Sequence, residues 1–440
     1  MKTAPATPIL RHLVLALILA AAGVFAIGSA TAQSNQAELE PVTIRYLVPR
    51  WASSIDHRIE RQVAFQSALD LFRARFPQVQ LEEVVSSAGD YRVDIAQQLE
   101  GGTVDAVWVD HIWYGEFQAE GYFVDLLPHL SEAELGEFYP WTIEALRSVN
   151  DELGALWHNT DARIYFYDSS RVPTPPTTWS EVEALCAEVQ AGSPGSYPIA
   201  YSLVDLSHLH GIFIELGGRH IDDEGRPVVF EGENREHMAR IVTWFKDMVD
   251  QGCIPRAATV WNEPDIMPQV FTGEILSFVA NSNFHIRQLA PNLPADEFAH
   301  WRATVVPRPD EVEANRTWSG GWVVAAVDNG DEARARAAVE FVKHVTGFDA
   351  MRATTKAGGW NPVRPAIMDQ DLYYAENRFA VATNEALETS STLPLVPIVP
   401  IVNDEIRRAF TAVASGEAEL DEAFDRAQAV MEQEYQRLNR

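Results

Sequence analysis

The chain has little cysteine: among its 440 residues there are only Cys186 and Cys253. Neither lies close in sequence to a histidine, and only Arg256 offers Cys253 a nearby positive charge, which argues against a catalytic thiol. An oxidising compartment would permit a disulfide between the two cysteines. The sequence leaves two alternatives open, a structural bridge or two buried free thiols.

Long apolar runs are also scarce. The longest, Leu13–Ile27, falls short of the ~18 residues that indicate a membrane span. Basic residues precede it and Ala30-Thr31-Ala32 follows, a small-x-small cleavage site, so the pattern predicts a secretory signal peptide over residues 1–32. A membrane anchor is the alternative. No cysteine near the cleavage site supports a lipid anchor, and we expect an exported, soluble protein without membrane insertion.

Basic residues are fewer than acidic ones: the chain has 34 Lys and Arg and 63 Asp and Glu. Its formal net charge is therefore −29. Phosphate backbones and anionic lipid surfaces would repel such a chain, which argues against nucleic-acid and membrane-surface binding. The acidity does not indicate a cationic ligand, because surface carboxylates mainly serve solubility. The length exceeds what one core usually serves and predicts two domains.

Metal-binding spacings and internal repeats are missing as well. His111, His158 and His208 are candidate ligands by type, but no H-x-x-x-H or Cys/His spacing supports a metal site. We therefore predict neither a metal nor a cofactor. No repeat or low-complexity segment indicates a solenoid.

What the chain does contain is an alternation of short apolar runs with amphipathic helices. The pattern predicts strands at Val42–Val48, Val79–Val85 and Val104–Val109, separated by helices at Ile59–Phe76 and Tyr91–Leu99. Strand–helix–strand spacing of this kind is typical of parallel strands covered by helices, an α/β sheet. Later strands are predicted at Ile275–Val279, Thr304–Pro307 and Trp322–Val327, and later helices at Arg235–Val249 and Ala333–Val345.

The segment Leu153–Val182 is the most readable part of the chain. A polar cluster, His158–Arg163, precedes a short half-buried strand at Ile164–Tyr167. After three prolines, Thr178 and Glu181 form a capping box that predicts a helix beginning at Trp179.

Several motifs occur in an order that resembles the bacterial extracellular solute-binding proteins of ABC sugar importers, related to maltose- and trehalose-binding proteins. The motifs are Phe76-Pro77-Gln78-Val79, Asp105–Val109, the turn Gly121–Leu126, Phe271-Thr272-Gly273-Glu274, Gly320-Gly321-Trp322 and Val339–Val342. No single motif is specific, but their order and spacing together are. In this family Leu153–Val182 would be the first crossing between two lobes, and cysteine pairs similar to Cys186 and Cys253 occur in some relatives.

The resemblance implies a two-lobe α/β periplasmic-binding-protein fold of class II type. Each lobe would be a mainly parallel sheet covered by helices, with a cleft between the lobes. Lobe one would comprise residues 41–160 plus 306–348, and lobe two residues 161–305 plus 349–440.

Sugars are bound by aromatic faces and by carboxylate, amide and guanidinium groups that converge on a cleft. The candidates that follow predicted strands or lie in late loops are Trp51, Asp110, His111, Asp161, Arg163, Gly321, Trp322 and Trp360. The resemblance supplies the ligand role of Asp110, Asp161, Gly321 and Trp322, and adds a late arginine, Arg364.

Each of these residues has a simpler interpretation. Asp110 could only cap the next helix, and Asp161 could only pair with Arg163. Trp322 could be a core strand residue, and Arg364 a surface arginine.

One departure from the family pattern concerns the stretch after Ile275–Val279, where relatives place a stacking tryptophan. Here the residues are Asn281-Ser282-Asn283-Phe284. We expect Phe284 to stack instead and Asn281 or Asn283 to bind hydroxyls, which implies a sugar of different size or orientation.

The sequence therefore predicts a monomeric periplasmic receptor that closes on a carbohydrate, an oligosaccharide or glucoside-like sugar, and delivers it to an ABC permease without catalysis. One alternative is a secreted glycosidase that uses Asp110 and Asp161 as its carboxylates. Another is the same fold binding a polyamine or a peptide, and a third is a receptor that serves a sensor.

Overall fold

Regular structure begins at strand β1, Val42–Val48, in the computed structural model of the chain. The structure describes residues 39–86, 90–147, 149–313 and 316–439. The predicted signal peptide, residues 1–32, lies outside the described residues. Residues 41–440 form one compact unit.

The first sheet has five strands in the order β2-β1-β3-β8-β4. Its further strands are β2 Val79–Val85, β3 Ala106–Asp110, β4 Ala155–Thr160 and β8 Gly321–Ala326. Strand β1 pairs in parallel with β2 and β3, whereas β8 lies antiparallel between β3 and β4. This register sets Asp110 opposite Trp322 and Thr160 opposite Gly321, so polar strand ends meet at one edge.

The second sheet has three named strands in the order β6-β5-β7: β5 Arg163–Asp168, β6 Ser277–Asn281 and β7 Trp301–Thr304. Both pairings are antiparallel, and Arg163 lies opposite Asn281. The predicted mainly parallel sheet is therefore wrong for this part of the chain, although short parallel bridges join Tyr197 to Ile275 and Ala200 to Phe278. Side-chain alternation reports which face is buried and says nothing about the direction of the neighbouring strand.

Helices cover both sheets and are numbered here in chain order. They are α1 Ile59–Arg75, α2 Tyr91–Glu100, α3 His111–Ala119, α4 Glu132–Leu135, α5 Pro140–Leu146, α6 Trp179–Gly192, α7 Ser207–Glu215, α8 Gly232–Asp250, α9 Glu263–Phe271, α10 Ala290–Asn292, α11 Ala295–Phe298, α12 Glu332–Val345, α13 Phe348–Gly358, α14 Pro365–Gln370, α15 Leu372–Ala375, α16 Ala380–Glu388, α17 Val399–Ser415 and α18 Leu420–Leu438. A π-helical turn, His285–Leu289, follows β6.

Helix α6 begins at Trp179, as predicted from its capping box. The backbone N–H of Thr178 donates to the Glu181 carboxylate at 3.3 Å. The helix carries Cys186, which forms a disulfide with Cys253, with the two Cα atoms 5.5 Å apart. The alternative of two free thiols is thereby decided in favour of the bridge.

Strand boundaries differ from the prediction where an apolar run continues past the sheet. The run Ile275–Val279 forms a strand only from Ser277, and the strand expected at Thr304–Pro307 ends at Thr304. Ile275 and Leu276 are nevertheless buried, because burial extends beyond the ladder hydrogen bonds. Over the described part of the chain, no helix has the length and apolar character needed to cross a bilayer.

Candidate functional site

A cavity of about 490 Å³ lies at the strand ends where the two sheets approach each other. Its wall is formed by the end of β3, the β4–β5 crossing, the start of β8 and the turn after β6. The loop before α7, residue Trp360 and the polar side of α17 complete it.

Eight of the residues singled out from the sequence line this cavity. They are Asp110, His111, Asp161, Arg163, Asn281, Gly321, Trp322 and Trp360, and Asn283, the alternative to Asn281, is a ninth. Since they come from five separated segments, the structure brings together what the sequence places up to 250 residues apart. Their contact with a ligand remains a prediction.

Three of the predicted residues do not line the cavity. Trp51 lies behind the wall, with its ring centroid 5.1 Å from that of Trp322 and 4.6 Å from that of Trp360. Phe284 is buried, and its neighbour Asn283 lines the cavity instead. The turn after β6 thus directs Asn281 and Asn283 to the cavity and Phe284 into the core.

Arg364 is the third residue that the structure removes from the candidate set. Its Nε donates to the Thr346 carbonyl at 2.9 Å, it pairs with Glu137, and its guanidinium carbon lies 4.1 Å from the centre of the Phe138 ring. The side chain is buried among these partners. Arg364 is therefore a packing residue and not a surface arginine either.

Arg163 holds three carboxylates beneath the cavity. Its guanidinium nitrogens lie 2.8 Å from Asp205, 2.9 Å from Glu263 and 3.1 Å from Asp161. The contact with Asp205 has hydrogen-bond geometry. Because the three acids belong to three different segments, one arginine ties the crossing segment, the loop before α7 and the start of α9 together.

The charged groups in this cluster change each other's pKa values. Burial disfavours the Arg163 cation, but Asp205, Glu263 and Asp161 outweigh it and raise the pKa of Arg163 well above its ordinary value. Burial likewise opposes ionisation of Asp205, yet Arg163 and Ser207 lower its pKa. Burial is the main reason that the pKa of Glu263 rises to about 8. The negative charges of Asp205 and Asp161 raise this pKa further, and the positive charge of Arg163 lowers it. At neutral pH the cluster therefore carries less negative charge than its three acids suggest.

Asp161 joins two chain crossings. One carboxylate oxygen accepts the Gly320 N–H at 3.1 Å, and the Asp161 N–H donates to the Gly320 carbonyl at 3.0 Å. The other carboxylate oxygen accepts the side-chain amide of Asn281 at 2.6 Å. Asp161 is thus engaged with Arg163, as the simpler interpretation has it, and also with two further partners at the cavity edge.

Asp110 caps helix α3, since its carboxylate accepts the Ile112 N–H at 3.2 Å. The same oxygen lies 3.0 Å from Nδ1 of His111, which also lies 3.2 Å from the backbone N–H nitrogen of Gly321. Gly321 has φ of +154°, and a Cβ there would lie 2.2 Å from the Asn159 carbonyl oxygen. Only glycine therefore fits where β4 and β8 meet under the cavity.

Aromatic rings line one side of the site. Trp322 is half-buried, whereas Val323 to Ala326, later on the same strand, are buried, so Trp322 is not a core strand residue. Trp51, Tyr91 and Trp113 surround it with ring centroids 5.1–6.2 Å away. These contacts hold the indole in place and leave part of its surface to the cavity.

Sequence reasoning missed several lining residues. Asp205, Ser207, His210, Asn262, Arg287, Asn403 and Arg407 also face the cavity. Asp205 could have been found, because Asp205-Leu206-Ser207 precedes a helix and its carboxylate accepts the Ser207 N–H at 3.0 Å. Nothing in the local sequence distinguishes Arg287 or Asn403, which reach the site only through the fold.

A second groove, of about 860 Å³, runs beside Pro394–Ile401 and the end of α18. None of the residues predicted from sequence lines it. In the described ranges, no group of three or more His, Cys, Asp or Glu side chains is placed to hold a metal ion.

The model of a family described as bacterial extracellular solute-binding protein matches residues 68–380. Among solved structures, the GacH receptor of Streptomyces glaucescens, crystallised unliganded and with acarbose, is 18% identical, with 90% of this chain and 98% of that one covered and a TM-score of 0.71. The sugar-binding protein MalE of Xanthomonas citri is 16% identical, over 89% and 96% of the chains, with a TM-score of 0.74.

The cyclic α-maltosyl-1,6-maltose binding protein of Arthrobacter globiformis is 17% identical, over 89% and 98% of the chains, with a TM-score of 0.72. At such identities the likeness concerns the fold. It confirms the predicted two-lobe α/β architecture.

Proposed function

Because this chain belongs to the bacterial extracellular solute-binding proteins, we propose that it is the periplasmic receptor of an ABC importer and that its cavity binds a carbohydrate. The similar structures named above include proteins crystallised with, or named for, acarbose and a cyclic maltosyl-maltose. These names support a saccharide as the class of ligand.

The observation that carries the proposal is the composition of the cavity wall. Five asparagines and three tryptophans line it: Asn159, Asn262, Asn281, Asn283, Asn403, Trp318, Trp322 and Trp360. Amides both donate to and accept from hydroxyl groups, and indole faces pack on the C–H surfaces of a sugar ring. A polyhydroxyl compound suits this combination.

A polyamine suits the cavity less well. Such a ligand requires carboxylates that are free to pair with ammonium groups. Asp161 and Asp205 are already paired with Arg163, which lies between them and Glu263. These two carboxylates are therefore occupied by a cation of the protein, and the third acid of the wall, Asp110, caps α3.

We also propose that the protein is not an enzyme. A glycosidase needs a carboxylic acid that protonates the leaving oxygen and a second carboxylate facing it. Asp161 instead accepts from Gly320 and Asn281 and pairs with Arg163, while Asp110 caps a helix. Both acids serve as acceptors in fixed structural contacts.

Ligand capture would proceed by hinge closure, with the crossings near Asp161, Gly320 and Asn361 as the hinge. Thr160 exchanges backbone hydrogen bonds with Asn361, at 2.9 and 3.1 Å, beside the Asp161–Gly320 pair. A ligand that contacts both sheets stabilises the closed form by its differential affinity. The lobe bounds, 41–160 plus 306–348 and 161–305 plus 349–440, belong to this proposal.

The rest of the role follows from the family. We propose that residues 1–32 are a cleaved signal peptide, that the receptor acts as a monomer in the periplasm, and that it delivers its ligand to the permease subunits of the importer. Service to a sensor would use the same binding site.

The test is titration of the protein with a panel of neutral and acidic oligosaccharides, polyamines and peptides. Binding is measured by tryptophan fluorescence and by calorimetry. We expect a saccharide to bind and Trp322→Ala to weaken it about tenfold or more, because a stacking face is lost. Trp141→Ala is the matched control, since Trp141 is also half-buried but does not line the cavity.

Two outcomes would contradict the proposal. Binding of a polyamine with no saccharide binding would reject the carbohydrate, and turnover of aryl glycosides would reject the non-catalytic role. Equal binding by the Trp322→Ala variant and the wild type would remove this residue from the site.

A further inference from the structure

Arginines gather at the end of the cavity that Trp360 forms. Arg287 lines the cavity together with Trp360. The guanidinium carbon of Arg61 lies 5.6 Å from the centre of the Trp360 ring. Arg58, one turn before Arg61, precedes the first residue of α1. This positive group stands out in a chain whose net charge is −29.

In the described part of the chain, two arginines of this group, Arg58 and Arg287, lack the carboxylate partner that Arg61 has. Asp56 is buried and pairs with Arg61 at 2.5 and 2.9 Å. Among the residues that the structure describes, no carboxylate lies within 4.0 Å of the guanidinium groups of Arg58 or Arg287. Arg61 is therefore paired with a buried aspartate, whereas Arg58 and Arg287 are exposed and have no such partner within the described ranges.

The pKa of Arg287 also reflects the neighbouring positive charges. Burial and then the charges of Arg58 and Arg61 lower the pKa of Arg287, with Glu263 opposing them. The guanidinium groups thus repel each other across the space beside Trp360. Glu263 offers limited compensation, since it contacts Arg163 and its pKa is raised to about 8.

The mutually repelling arginines belong to elements that pack on different sheets. Arg58 and Arg61 belong to the start of α1, which packs on the first sheet, whereas Arg287 lies in the π-helical turn that follows β6 of the second sheet. Arg58 and Arg61 do not line the cavity themselves, but their charges act on Arg287, which does. An anion bound at Arg287 would offset that repulsion between the two sides. π-Helical turns often occur at functional sites, which agrees with a role for Arg287.

We propose that the Trp360 end of the cavity is an anion subsite, and that the ligand is a saccharide that carries a carboxylate or a sulfate ester. The inference rests on the proposed carbohydrate function and narrows it. Sugar hydroxyls would meet the asparagines and tryptophans, and the anionic substituent would be held by Arg287 with Arg58 and Arg61 nearby. Guanidinium groups bind planar oxyanions through two parallel hydrogen bonds.

The experiment compares ligands that differ only in charge. Isothermal titration of the full chain would use α-1,4-linked trigalacturonate against its methyl ester, and 6-O-sulfated maltotriose against maltotriose. Maltotriose serves as a neutral saccharide of the kind that related proteins bind. The first pair reports a carboxylate and the second a sulfate, which distinguishes the two sources of negative charge.

We expect the acidic member of at least one pair to bind about tenfold or more tightly than its partner, with an advantage that declines as salt is added. Arg287→Gln should bring the ratio close to one without lowering the melting temperature, and Arg287→Lys should retain part of it. Arg426→Gln is the control for losing one positive charge, because Arg426 lies exposed on α18 and pairs with Glu422.

Two results would overturn the inference while leaving the proposed function in place. One is that the wild type binds a neutral saccharide as tightly as its acidic partner. The other is that Arg426→Gln lowers the ratio as much as Arg287→Gln, which would assign the effect to overall charge. If no saccharide of either kind binds, the proposed function itself fails.

Discussion

Arg163 and Arg287 line the same cavity but have opposite surroundings. Arg163 lies between three carboxylates, at 2.8 to 3.1 Å, and its side chain is 9% exposed. Arg287 lies near two other arginines, and no described carboxylate pairs with it. The guanidinium of Arg163 is already paired within the protein, whereas the guanidinium of Arg287 is available to a ligand.

This difference teaches that lining a cavity does not make a charged residue a ligand contact. A buried charge has to be compensated by the protein itself, and the compensation fixes both partners in place. Arg287, by contrast, is exposed at the cavity, so its charge needs no protein partner and stays available to a ligand. Substitutions at the two arginines and their neighbours test this contrast.

Arg163→Met should lower the free energy of unfolding by about 3 kcal/mol, because the half-buried Asp161 and Asp205 would lose their shared cation. Urea unfolding followed by circular dichroism measures the loss. The matched control is Arg226→Met: Arg226 also has three acidic neighbours, Asp222, Glu231 and Glu432, but is 35% exposed. That variant should lose no more than about 1 kcal/mol. Equal losses in the two variants would show that burial does not set the importance of Arg163.

Glu263→Gln should change how stability depends on pH. The unfolded chain releases the Glu263 proton near pH 4.5, whereas the folded protein keeps it until about pH 8. Between these values the folded state binds more protons, so wild-type stability falls as pH rises. The variant should therefore gain stability relative to the wild type as pH rises from 4.5 to 8, by up to about 1.4 kcal/mol per pH unit.

Unfolding curves at several pH values test this, with the exposed Glu388→Gln as a control. A difference between Glu263→Gln and the wild type that stays constant over the range would contradict the shifted pKa of Glu263.

Arg287→Gln should leave the free energy of unfolding within about 0.5 kcal/mol of the wild-type value. No carboxylate loses its partner, and the repulsion from Arg58 and Arg61 is relieved. Thermal and urea unfolding without ligand measure this. A loss above about 1 kcal/mol would mean that Arg287 has a structural partner and would remove the contrast with Arg163.

Much of the fold could be predicted from local sequence. Strands β1 and β2, helix α1 and the start of α6 at Trp179 were found within a residue of their observed bounds, because each has a clear period or a capping pair. The antiparallel second sheet was not found, since strand direction depends on which distant segment pairs with β5.

The candidate site was predictable only where a residue follows a strand or occurs in a motif. Asp110, Asp161 and Trp322 were identified in this way, and all three line the cavity. Phe284 and Arg364 were misplaced, because a turn or a buried partner redirects each side chain.

By itself, the sequence determined the alternating α/β pattern, the acidic composition and the types of residue available for binding. Those properties depend on local periodicity and on residue charge, which can be determined directly from the order of the amino acids. Only the tertiary structure decided that Arg163 is occupied by Asp161, Asp205 and Glu263, and that Arg287 is not occupied. The state of a charged group depends on which distant groups lie within a few ångströms, and that proximity arises only when the chain has folded.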